Sequence, residues 1–121
     1  MPIYDYQILT LNELSERAHN IAKEHGFYDD PISPHKLADF VSKQLCLLHS
    51  EISEALEQCR DGQFCMRIVN DKPEGFGVEI ADLIIRALDL CRYLSIDIDK
   101  CVRLKMNYNA TRPFKHGHKN F

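Results

Sequence analysis

The chain has 121 residues, 45% of them hydrophobic and 27% charged, proportions that suit one globular domain with a single core. No apolar run approaches the ~20 residues that span a bilayer, and the N-terminus lacks a basic-then-apolar signal pattern. A cytoplasmic protein with no membrane partner is therefore expected. The net charge of −3 is unevenly spread: Lys100 to Phe121 holds six Lys/Arg and no acidic residue, which leaves −9 on residues 1–99. An acidic body with a basic end suits self-assembly, or an anionic ligand held between the two. Nucleic acid is disfavoured as a partner, because the basic stretch is short and the body repels phosphates.

In chain order, residues 1–9 alternate Tyr4, Tyr6 and Ile8 and carry no firm assignment. Thr10-Leu11-Asn12-Glu13 has the form of a capping box. Leu11, Leu14, Ala18, Ile21 and Ala22 follow helical spacing up to Gly26, the expected left-handed residue that closes the first helix. Phe27–Pro34 holds the turn signals Asp29-Asp30-Pro31 and Ser33-Pro34. The second helix is predicted to begin with Ser33 as N-cap and Pro34 in the first position, and to run through Arg60. Its apolar stripe is Leu37, Val41, Leu45, Leu48, Ile52, Leu56 and Cys59, and Asp61-Gly62 stops it.

Gln63–Gly75 reads as a polar connection with room for a short helical turn over Phe64–Val69. The third helix is predicted over Phe76–Leu94, with the stripe Phe76, Ile80, Leu83, Ile84, Ala87, Leu90, Cys91 and Leu94. Asp97 opens a fourth helix that carries Val102, Leu104, Met106 and Tyr108 and ends before Arg112-Pro113. The five cysteines form no C-x-x-C or zinc-type motif, and Cys59 and Cys91 are expected as buried free thiols. No strand ladder is predicted. The expected fold is all-α, a single domain over 1–121: a four-helix bundle with its core over 10–112 and a basic tail over 113–121.

Two acidic pairs share one spacing, Glu51-Ile52-Ser53-Glu54 in the second helix and Glu79-Ile80-Ala81-Asp82 in the third. Residues three apart share a helix face, roughly 60° apart around the axis, and each pair flanks its helix's apolar stripe. Packing the two helices together converges four carboxylates. Four hard oxygen ligands stay ionised together only with a cation, and Mg²⁺ suits them best. Solvated salt bridges are the competing account, since Arg86 follows Asp82 by four residues and Arg60 trails the Glu51/Glu54 helix. The repeated placement beside two core stripes favours a joint site.

The segments Leu47–Ala55 and Gly77–Asp82 resemble the E-x-x-E … E-x-x-D signature of the MazG-like, all-α nucleoside triphosphate pyrophosphohydrolases. Lys105–Gly117 resembles their K-x-x-x-N-x-x-R-P-x-x-H-G ending, and the likeness spans residues 33–120 in the same order. Ser50 departs from the family, where many members carry a further Glu, so the number of ions stays open. The resemblance implies hydrolysis of a (d)NTP between the α and β phosphates to (d)NMP and pyrophosphate, in nucleotide-pool house-cleaning. It implies that Glu51, Glu54, Glu79 and Asp82 hold Mg²⁺, with Mn²⁺ as a substitute, and that Glu54 activates water. Lys105, Asn109, Arg112, Lys115, His116 and Lys119 are the implied phosphate contacts. His19, Asn20, Phe27 and Tyr28 are candidates for the base pocket, and a homodimer or homotetramer is expected. Two rival readings are a phosphoribosyl-ATP pyrophosphohydrolase and a non-catalytic helical module that binds nucleotide or a protein partner.

Overall fold

The computed structural model describes residues 9–113. Four α-helices and one small hairpin appear in the order α1 (Leu11–Glu24), α2 (Leu37–Arg60), β1 (Arg67–Val69), β2 (Lys72–Glu74), α3 (Phe76–Tyr93) and α4 (Ile98–Thr111). The predicted helices are present. The Thr10–Glu13 capping box forms in both directions, and three helices end in the same way. At the ends of α1, α2 and α3 a residue with positive φ (Gly26, Gly62, Ser95) turns the chain. The next amide then donates back to a carbonyl of the last turn: Phe27 to Ala22, Gln63 to Gln58 and Ile96 to Cys91. This closure satisfies carbonyls that the helix itself leaves free.

Two local expectations change. Ser33 and Pro34 open a 3₁₀ turn, Pro34–Lys36, and the α-helix starts only at Leu37. The connection after α2 is an antiparallel hairpin rather than a helical turn, with Arg67 opposite Glu74 and Val69 opposite Lys72. Its two-residue turn, Asn70-Asp71, has positive φ at both positions, the geometry that matches the twist of two paired strands and that Asn and Asp tolerate best. Pro73 is accommodated because both strands are edges. Gly75 then joins the hairpin to α3. Its φ is +129°, and a Cβ there would lie 2.6 Å from the Cys65 carbonyl oxygen, so only glycine fits.

α3 is the central element, packed by α1 on one side and α2 on the other. Both flanking helices run antiparallel to it. Ser15 on α1 donates to the Leu88 carbonyl, and Phe40 near the start of α2 meets Tyr93 at the end of α3, with ring centroids 5.2 Å apart. Ala55, Leu88 and Leu90 form the fully buried apolar centre. The predicted α2 stripe faces it only in part. Leu45, Ile52 and Leu56 are 47–50% exposed, while Val41, Gln44, Leu48, Glu51, Ala55 and Gln58 turn inward. Cys59 is exposed and Cys91 half-buried, so the expectation of two buried thiols fails for Cys59.

α4 is attached at its base alone. Ile98, Asp99 and Val102 are half-buried, whereas every residue from Arg103 to Thr111 is exposed. The base is held by reciprocal capping between two helix N-termini. Asp99 accepts from the Leu11 and Asn12 amides (3.0 and 3.1 Å), and Asn12 Oδ1 accepts from the Ile98 amide (3.0 Å). Asn12 Nδ2 donates to Asp97, which also accepts from the Lys100 amide. Each helix supplies the other with the acceptor that its own first turn lacks. These bonds, the Asn12 side chain first, hold the Asp97 carboxyl below its usual range. A depressed carboxylate pKa stabilises the fold above the unfolded value and loses that stabilisation as pH falls through the folded one. Asp99→Ala should lower stability by about 1–2 kcal/mol in urea unfolding. The difference in melting temperature between wild type and Asp97→Ala should shrink as pH falls below about 4.

Candidate functional site

The inward rotation of α2 sets Glu51 against α3. There, one carboxylate oxygen from each of Glu51, Glu79 and Asp82 lies within 4.8 Å of the others. Glu79 stands in the first turn of α3, placed by Gly75 at the N-cap. Asp82 follows one turn later on the same face. Glu54, the fourth predicted ligand, is exposed and lies outside this triplet. Its charge nonetheless acts on Glu79.

Desolvation in the groove, then the charges of Asp82, Glu54 and Glu51, push the Glu79 carboxyl up. Desolvation and Glu51 raise Asp82, against the pull of Arg86 and Lys72. Two cations, Arg86 and Lys72, thus act on the cluster. Arg86 does not pair with Asp82 along its own helix. Its Nε donates across to Glu51 Oε1 at 2.7 Å, with the Glu51 side chain only 12% exposed. Lys72 lies at the hairpin turn and draws both α3 carboxylates downward. Arg60 pairs with Glu57 within α2 and takes no part.

A cavity of about 460 Å³ adjoins the triplet, walled by all three packed helices. Asp82 and Arg86 line one end, and Phe27, Tyr28, Phe40 and Asp89 line the other, with Gln44 between them. Asp89 organises the far end: one oxygen is 2.8 Å from His19 Nδ1, and the other accepts from the Tyr28 hydroxyl at 2.9 Å. Tyr28 stacks on Tyr93 with centroids 5.1 Å apart and meets Phe40 edge-on. Burial, then the bond to Asp89, drives the Tyr28 hydroxyl far above its ordinary range, so it remains a donor. His19, Phe27 and Tyr28 therefore border one cavity or its supporting network, whereas Asn20 is exposed. Asp89, Gln44 and Phe40 were missed. Gln44 and Asp89 are polar residues at helix positions that face other helices, the one signal in the sequence that marked them.

Among the described residues, the predicted phosphate contacts make no ion pair with the carboxylates. Lys105 and Asn109 are exposed on α4, and the Lys105 and Arg112 charges sit over the Tyr108 ring at 5.0 and 5.7 Å. Lys115, His116 and Lys119 lie outside the described residues.

No protein-family model, curated protein or solved structure matches the chain. The donor set itself is the guide: oxygen ligands only, mutually repelling and open to solvent, a fit for a hard divalent cation such as Mg²⁺ or Mn²⁺.

A raised carboxylate pKa means that the folded chain holds the proton more tightly than the unfolded one. The ionised cluster thus costs stability above the folded pKa, and the cost vanishes below the unfolded value. Without divalent cations, Glu79→Gln should melt a few degrees above wild type at pH 7, and the gain should disappear near about pH 4. A gain independent of pH would show that repulsion is not its cause.

Proposed function

We propose that the chain is a Mg²⁺-dependent nucleoside triphosphate pyrophosphohydrolase of the MazG-like kind, cleaving a (d)NTP between the α and β phosphates. One observation carries this reading: three carboxylates converge, and one of them, Asp82, lines a cavity that Phe27, Tyr28 and Phe40 also line. That pairing suits a ligand with a polyanionic end and a planar end. The cavity also has the size of a small-molecule site.

Glu51, Glu79 and Asp82 would hold the cation; the charge of Glu54 also acts on Glu79. A bound Mg²⁺ would neutralise phosphate charge as the bond between α and β phosphorus breaks. Arg86 leaves Glu51 when the carboxylate is needed as a ligand, and is then free to donate to a phosphate oxygen, bidentate geometry being open to its guanidinium. Lys72 offers a second cation from the hairpin. Glu54, exposed to solvent, would take a proton from water. Phe27 and Phe40 offer faces for a base, and the Gln44 amide offers one donor and one acceptor to its edge. A homo-oligomer completes the helical bundle, with pool house-cleaning in the cytoplasm as the cellular role. No described helix is long and apolar enough to cross a membrane.

The test is product analysis with a panel of normal and modified dNTPs. Mg²⁺-dependent release of pyrophosphate with matching monophosphate is expected, abolished by EDTA. Glu51→Gln should lower the rate on the order of 100-fold or more while the helical circular dichroism is unchanged. Release confined to phosphoribosyl-ATP would favour the related pyrophosphohydrolase. Nucleotide binding with no turnover would favour a binding module.

A further inference from the structure

We infer that Arg86 couples the cation to the nucleotide: while its guanidinium holds Glu51 it opposes a divalent ion, and a phosphate that takes up its charge lets the ion bind tightly. Resting on the pyrophosphohydrolase reading of this site, the coupling says when its cation binds, which that reading leaves open.

Arg86 already stands in the place of a cation. Its Nε donates from α3 to Glu51 Oε1 on α2 at 2.7 Å, and the Glu51 side chain keeps only 12% exposure. Glu51 is also one of the three carboxylates whose oxygens lie within 4.8 Å of one another. The same guanidinium draws the Asp82 carboxyl down, against desolvation and the charge of Glu51. Two of the three candidate ligands are thus compensated by a charge that the chain itself supplies. Arg86 competes for Glu51 with any cation that those oxygens would hold, and like charges at one carboxylate repel.

Once displaced, Arg86 has no other carboxylate to turn to in the cavity. On α3 it shares a face with Asp82, one turn before it, and Asp89, one turn after it, and all three line the cavity of about 460 Å³. Asp82 is itself a candidate ligand. Asp89 is engaged at both oxygens, by His19 Nδ1 at 2.8 Å and by the Tyr28 hydroxyl at 2.9 Å. Arg86 therefore gains little by leaving Glu51 unless a new anion enters. Its side chain is 43% exposed, so it turns without unpacking a helix. Phosphate is the anion that suits it, because the planar fork of N–H donors matches two phosphate oxygens at once.

This exchange of partners acts in both directions. A phosphate at Arg86 frees Glu51 for the ion, and an ion at Glu51 frees Arg86 for the phosphate. By linkage each raises the affinity for the other by the same factor, on the order of 10- to 100-fold in coupled sites. Half-loaded states are disfavoured as well: Arg86 opposes a divalent ion that arrives alone, and the three carboxylates oppose a nucleotide that arrives alone. Without Arg86 the chain would take the ion more readily and hold the nucleotide less well. Those opposite signs separate a coupling residue from one that only props Glu51 in place, whose loss would weaken both.

The experiment compares the full wild-type chain with Arg86→Met, which keeps an unbranched side chain at a half-exposed position and removes the charge. Mn²⁺ affinity is read without nucleotide, from the electron paramagnetic resonance signal of the free ion. Affinity for α,β-imido dNTPs, which resist cleavage between those phosphates, is read by equilibrium dialysis with Mn²⁺ present. Arg86→Met should bind Mn²⁺ about 10-fold more tightly than wild type and the analogue about 10-fold more weakly. Arg86→Lys, which keeps the charge and loses the fork, should leave Mn²⁺ affinity near the wild-type value. Mn²⁺ affinity that is unchanged or weaker in Arg86→Met overturns the coupling, as does undiminished affinity for the analogue. In either case release of pyrophosphate by wild type would leave the hydrolase reading standing. Failure of both chains to bind Mn²⁺ overturns the coupling and the metal-dependent reading together.

Discussion

The rotation of α2 about its own axis sets the character of the molecule. The helix carries two candidate inner faces about 100° apart, because Glu51 and Ile52 are consecutive. Turning Ile52 toward α3 would bury an apolar stripe and leave the carboxylate in water. The chain takes the other course: Glu51 is drawn in, and Leu45, Ile52 and Leu56 stay half-exposed. Packing a carboxylate against Glu79 and Asp82 is unfavourable by itself. It is offset by Arg86 from the same helix as its repulsive neighbours, in a bond that pins Glu51 to α3. The acidic cluster and the uncovered apolar face are therefore two consequences of one orientation.

Polar side chains, more than a large apolar core, fix how the other helices sit on α3. Asp89 ties the end of α1 and the following loop to α3 through His19 and Tyr28, with Tyr93 and Phe40 packed around it. At the opposite end Asn12 and Asp99 lock α1 to α4 by exchanging caps. These bonds are directional where dispersion is not, so they set register between helices whose shared core holds few fully buried side chains. Tyr28, which lines the cavity, is held by the same network.

The parts legible in the sequence were those governed by local rules. The Thr10 capping box, the stops at Gly26 and Gly62 and the four helical spans all follow from neighbours within a turn. Glu79 and Asp82 share a face because their spacing is itself a local property, whereas Glu51 joins them only through the packing of α2 on α3. The hairpin was missed because each strand has only three residues, too few for a period to show, and its Asn-Asp turn lacks the usual glycine. The cross-helix partner of Arg86 was missed because an i,i+4 neighbour was at hand, and only tertiary packing decides between them. The α2 face was misread for a related reason. A hydrophobic stripe says what should leave water, but not whether the same chain supplies the cover.

The Arg86–Glu51 pair explains how a cluster of like charges persists without locking itself shut. Its carboxylate end is well shielded, and its guanidinium end is 43% exposed. Pairs with one open partner contribute modestly, since water competes for the cation. Moving the guanidinium away therefore requires no repacking of the helices; it requires only that another positive charge arrive at Glu51. A divalent cation at Glu51 would supply that charge, and the Arg86 side chain already lines the cavity beside Asp82. The ion pair thus keeps the three carboxylates converged while its cationic partner stays open to water.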